Sequence, residues 1–66
     1  MSTNNFIFEN EYTLRAYFEQ KSFEHNMTVG QVLFELQEAM SRGAKFYTID
    51  NGKIYNFKEL IDLILN

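Results

Sequence analysis

Asn51-Gly52 stands between two short runs of alternating aromatic and branched residues, "KFYTID" and "KIYNF". Asn-Gly is the dipeptide that a two-residue type I′ turn prefers, because both central residues need positive φ. The sequence therefore predicts a β-hairpin that pairs Asp50 with Lys53, Ile49 with Ile54, Thr48 with Tyr55, Tyr47 with Asn56 and Phe46 with Phe57. Asp50 opposite Lys53 adds a small favourable cross-strand pair. Both faces of this hairpin are apolar: Phe46, Tyr55 and Phe57 share one, and Tyr47, Ile49 and Ile54 share the other. A sheet apolar on two sides is covered on both, or it keeps one side for a partner.

The hairpin runs into a short helix. Asn56 is a good N-cap and Glu59, three residues on, completes a capping box, with Tyr55 and Leu60 placed to staple the entry. Leu60, Ile61, Leu63, Ile64 and Leu65 wrap most of this helix and leave Lys58, Glu59 and Asp62 outside. A helix so apolar is expected to be buried on more than one side, in part by a second subunit.

A second helix reads clearly in "MTVGQVLFELQEAMSRGA", residues 27–44. Thr28 caps it, Gln31 sits at the capping-box position, and Met27 can staple onto Val32. Val29, Val32, Leu33, Leu36, Ala39 and Met40 make one apolar stripe. Gly43 suits the left-handed stop, and Arg42 in the last turn suits the helix dipole. Phe34 is off the stripe, among Glu35, Glu38 and Ser41, and either covers a sheet edge or the Phe23 loop or stands as an exposed interface anchor.

The first twenty residues read as two strands. "NFIFE" puts Phe6 and Phe8 on one side, and "YTLRAYFE" alternates Tyr12, Leu14, Ala16 and Phe18 against Thr13, Arg15, Tyr17 and Glu19. That is a period of two. A three-residue loop, Glu9 to Glu11 with Asn10 left-handed, keeps all the large residues on one face. The rival reading makes Glu11 to Gln20 a helix, with Leu14, Tyr17 and Phe18 at helical spacing. The strand reading yields the order ββαββα. The expected fold is a single α+β domain, a four-stranded antiparallel sheet with both helices on one face. The other face, carrying Ile7, Tyr17, Tyr47, Ile49 and Ile54, becomes the expected contact surface.

Composition narrows the function classes. Sixty-six residues without cysteine make one small domain with a thin core, no disulfide and no thiolate chemistry. Seven Phe and four Tyr are more ring area than such a core hides, at roughly 150–250 Å² per buried ring. The net charge is −3, and its six basic residues are scattered, which disfavours direct binding to nucleic acid. No apolar run approaches the roughly 20 residues that span a bilayer, and "MSTNNFIFENE" lacks the pattern of a secretory signal. A cytoplasmic protein is expected. Frequent Asn, Ile, Lys, Phe and Tyr, residues of A/T-rich codons, fit an AT-rich bacterial or phage genome.

Catalytic and metal patterns are thin. His25 beside Glu24 and Ser22 reads as a solvated loop, and sequence neighbours rarely form a triad. Glu35 and Glu38 stand three apart on a helix and read as a solvated face rather than an acid–base pair, which would need a cleft. "DNG" at Asp50 lacks the remaining ligands of a calcium loop. No cofactor and no metal site is expected.

The expected function is a small non-enzymatic protein-binding domain, of the kind a phage or mobile element uses to inhibit a host protein or defence enzyme by surface contact. Phe34, Tyr17, Tyr47, Ile49, Ile54, Glu35 and Glu38 are the expected contact residues. The alternatives are a structural or regulatory homodimer, and a weak acidic DNA mimic built from Glu9, Glu11, Glu19, Glu24, Glu35, Glu38, Asp50 and Asp62.

Overall fold

Asn10 sets the largest difference between this expectation and the molecule. In the computed structural model, which describes residues 4–66, Asn10 is extended at φ −157° and caps a helix rather than turning a hairpin. Its Oδ1 accepts from the Thr13 N–H at 2.9 Å, and its own N–H donates to Thr13 Oγ1 at 3.2 Å. These two bonds satisfy donors that a helix start would leave unpaired. The chain then runs helical from Glu11 to Glu24 (α1), after a single strand, β1, at Asn5–Phe8. Leu14 and Phe18 are its buried residues.

The helix ends as firmly as it begins. Asn26 is the one non-glycine with positive φ (53°) among the described residues. Its N–H bonds Phe23 O, and the Met27 N–H reaches Ser22 O at 2.9 Å, the two bonds of a Schellman stop.

The second helix, α2 (Val29–Ser41), follows the sequence reading except at its start, where only the Thr28 half of the expected capping box forms and Val29 of the expected stripe is exposed. Thr28 Oγ1 accepts from the Gln31 N–H at 3.2 Å. Val32 and Leu36 are buried, and Ala39 and Met40 pack against the core. Gly43, at φ 98°, carries another Schellman stop, with Gly43 N–H on Met40 O and Ala44 N–H on Ala39 O.

Strands β2 (Lys45–Thr48) and β3 (Lys53–Tyr55) form the expected hairpin in a different register. Phe46 faces Tyr55, Tyr47 faces Ile54 and Thr48 faces Lys53. The loop is four residues, Ile49 to Gly52, because Asn51 is not left-handed. Its Oδ1 instead takes the Thr48 hydroxyl at 2.6 Å and the Lys53 N–H at 3.2 Å. Gly52 alone supplies the positive φ, at 62°. The slip is two residues, an even number, so every side chain keeps its face.

The last helix, α3 (Phe57–Leu65), starts at Asn56 with both bonds of the capping box formed to Glu59. Leu60 is fully buried, whereas Leu65 stays exposed.

The expected four-stranded antiparallel sheet with two helices is thus corrected to a three-stranded mixed sheet, order β1-β2-β3, with three helices. β1 pairs parallel with β2, Asn5 against Lys45 through Phe8 against Thr48. Parallel neighbours need a long crossover, and α1 and α2 together provide it. The core holds Leu14, Phe18, Val32, Leu36, Ala44, Phe46, Tyr55 and Leu60, contributed by all three helices and by β2 and β3. Phe6 stacks on Phe46 with ring centroids 4.8 Å apart, and Phe18 closes on Phe46 at 5.5 Å. All three helices therefore lie on one side of the sheet. No helix among the described residues is long and apolar enough to cross a membrane.

Candidate functional site

Alternation along the strands divides them cleanly. Phe6, Phe8, Phe46, Thr48 and Tyr55 point toward the helices; Ile7, Tyr47 and Ile54 point away. Register places those last three side by side, because Ile7 faces Tyr47 and Tyr47 faces Ile54. They form one apolar row across all three strands. Ile7 is 61% exposed and Ile54 59%, and Ile49 at 59% extends the row past the end of β2. A contiguous apolar patch on an uncovered sheet face is what marks an interaction site.

The main chain adds to this surface. Lys45 N–H bonds Asn4 O, and Ile49 N–H bonds Phe8 O. Groups of alternate residues point to opposite edges, so the N–H and C=O of Asn5 and Ile7 face the open edge of β1. The strand is only four residues long, and such brevity blunts an edge against uncontrolled pairing.

The residues expected to make contact fall into two groups. Tyr47 and Ile54 are on the outer sheet face as expected, and Ile49, expected with them, is exposed in the hairpin loop. Tyr17 is not: it lies on α1 beneath the sheet, its ring 5.3 Å from Phe8 and 6.2 Å from Phe6. The alternation of "YTLRAYFE", residues 12–19, reads as a strand and puts Tyr17 with Tyr47; in the helix it turns inward. Tyr17, Phe34, Glu35 and Glu38 instead line a cleft of about 520 Å³ between α1 and α2, floored by Phe6 and Phe46. Phe34 is exposed, as its place off the apolar stripe predicts, and Lys21 sits 5.8 Å from the Tyr17 ring centre. Glu38 is paired with Arg42 at 3.4 Å. Ile7, named in the sequence only as one of several residues of its face, proves central to the outer row. The signal for it was the alternation of "NFIFE".

A polar clasp binds the opposite end of the molecule. The Tyr55 hydroxyl donates to Glu11 Oε2 at 2.9 Å, joining β3 to α1. Lys53 Nζ meets Glu59 at 2.6 Å, joining β3 to α3, and stands 4.9 Å from the Tyr55 ring centre. Arg15 donates to the Asn66 carbonyl, joining α1 to the end of α3. Burial, foremost, holds the Tyr55 hydroxyl above its ordinary pKa, and the bond to Glu11 adds to that. The backbone N–H of Asn56, then Lys53, hold Glu59 below the ordinary carboxylate value. These groups satisfy one another within the fold. Ser22, beside His25, spends its hydroxyl on Met27 O at 2.8 Å.

Compared with known protein families, curated proteins and solved structures, the chain matches none of them.

Proposed function

We propose that this chain is a non-enzymatic protein-binding domain whose working surface is the outer face of its sheet. One observation carries the reading: Ile7, Tyr47 and Ile54 form a continuous apolar row across the three strands, and none of the three helices covers it. Leaving branched side chains in water forfeits about 25 cal/mol per Å², and a partner that covers them recovers it. An inhibitor that works by occlusion, such as a phage or mobile-element protein aimed at a host enzyme, needs only a surface of this kind.

The test is Ile54→Asp, at an exposed position that contributes little to the core. Association of the wild-type chain, with itself or with proteins captured from a bacterial lysate and then purified, should fall at least tenfold in the variant while its melting temperature holds. The reading is overturned if the wild type associates with nothing, or if Ile54→Asp binds as well as wild type.

A further inference from the structure

We propose that Asn51 is a self-modifying residue: the hairpin loop promotes attack of the Gly52 main-chain nitrogen on the Asn51 side-chain amide, which converts the residue to aspartate or isoaspartate. The observation that carries this is the placement of Asn51 Oδ1. It accepts from the Thr48 hydroxyl at 2.6 Å and from the Lys53 N–H at 3.2 Å. Both donors converge on the oxygen that gains negative charge when a nucleophile adds to Cγ. Donors aimed in advance at such an oxygen are what an oxyanion hole consists of. Thr48 is fully buried, so one of the two is held in a fixed place on the sheet.

The nucleophile is the next residue in the chain. The bond from Lys53 N–H to Oδ1 closes a ring that contains both Asn51 Cγ and Gly52 N, and so folds the side chain over the Gly52 peptide. The Gly52 N–H donates to no group among the described residues, which leaves its proton open to solvent. Asn51 and Gly52 are both exposed, so water reaches them. Glycine has no Cβ to crowd the approach of its own nitrogen.

Solvent hydroxide takes the Gly52 amide proton and becomes water. The bond from Gly52 N to Cγ forms as the carbonyl electron pair moves onto Oδ1, where Thr48 and Lys53 hold the charge. The pair returns, the Cγ–Nδ2 bond breaks, and the side-chain nitrogen takes a proton from water and leaves as ammonia. A cyclic imide remains, and water adds to one of its two carbonyls. Breaking the bond from Gly52 N to Cγ gives aspartate. Breaking the bond from Gly52 N to the Asn51 main-chain carbonyl carbon gives isoaspartate, with the main chain routed through Cβ. Nothing is oxidised or reduced. Aspartate keeps an oxygen for Thr48 and Lys53 and adds a negative charge beside Asp50. Isoaspartate lengthens the loop by one main-chain carbon, at the turn that sets Thr48 opposite Lys53 and Tyr47 opposite Ile54.

The test holds the purified chain in warm neutral buffer and follows residue 51 by peptide mass spectrometry, which reads the conversion and separates the two products by retention. Folded wild type should convert faster than the same chain unfolded in guanidinium chloride. Thr48→Val removes one donor and should slow the folded chain about tenfold, less than the roughly hundredfold or more lost from a water-excluded site, because this loop is open to solvent. Thr48→Ser keeps the hydroxyl and should keep the rate. In guanidinium chloride all three chains should convert alike, which separates the effect of the loop from that of the dipeptide. Circular dichroism confirms that the variants are folded; where Thr48→Val is not, folded against unfolded wild type decides alone. A folded wild type that converts more slowly than the unfolded chain overturns the proposal, since the loop then protects Asn51. So does a folded Thr48→Val that converts as fast as wild type, or faster.

Discussion

The two faces of one small sheet meet opposite environments. Phe46, Thr48 and Tyr55 are sealed beneath three helices; Tyr47 and Ile54, their immediate neighbours in sequence, look outward with Ile7 and Ile49. Composition hardly distinguishes the two sides, since each carries aromatic and branched residues. Packing alone separates them. The inner face supplies the cohesion of the fold, and the outer face retains apolar surface that none of the described elements shelters.

The strongest way to break this contrast is to hollow out the inner side. Phe46→Ala should cost about 3–5 kcal/mol, read from urea denaturation, because removing a ring stacked on Phe6 and tilted against Phe18 leaves a cavity. With a total stability of only about 5–15 kcal/mol, the variant should be largely unfolded on warming. On the outer side the same kind of truncation should behave otherwise. Tyr47→Ala should weaken association by about 1–2 kcal/mol, measured by titration calorimetry, if the row is an anchor. Its unfolding midpoint should move far less than that of Phe46→Ala. A Tyr47→Ala chain that unfolds like Phe46→Ala would assign Tyr47 to the core.

Smaller effects sharpen the picture. Tyr55→Phe keeps the ring inside and loses only the bond to Glu11, so stability should drop by about 1 kcal/mol with no change in association. The clasp also gives a pH signature. Glu59 titrates below its ordinary value when folded, so its contribution is full above pH 4.5 and fades as pH falls through the lower folded value. Tyr55 and Lys53 titrate above their ordinary values, so theirs is full at neutral pH and fades as pH rises beyond about 10. Glu59→Gln keeps an oxygen for the Asn56 N–H and should flatten the acid limb of a melting-temperature profile. The smallest effect belongs to Phe34→Ala. Its side chain lies on α2, across the helical layer from the outer row, so association through that row should be unchanged.

Particular residues show why some of this was legible in advance. Caps are local: Thr28, Asn56 and Glu59 lie within a few residues of the groups they bond, and the sequence displays both partners. The face of each hairpin residue was legible too, because parity survives an even slip of register. The register itself was not, since it turned on Asn51 bonding Thr48 instead of adopting a left-handed turn. The segment from Glu11 to Glu24 shows the limit most plainly. Leu14 and Phe18 are four apart, and four is both an even number and close to one helical turn. The same two residues thus fit a strand and a helix equally well. Asn10 and Thr13 settle the matter by capping, whereas the sequence reading takes Asn10 as the left-handed residue of a loop.

By itself, then, the order of residues determined the helix limits around α2 and α3, the position of the turn at Asn51-Gly52, and which hairpin side chains travel together. Only the tertiary structure decided that β1 runs parallel to β2, that Tyr17 turns inward, and that the row Ile7, Tyr47 and Ile54 is the side left bare. The reason is range. Caps, turns and parity are set by neighbours along the chain, whereas coverage of a face depends on where helices distant in sequence come to rest, and three of them came to rest on the same side.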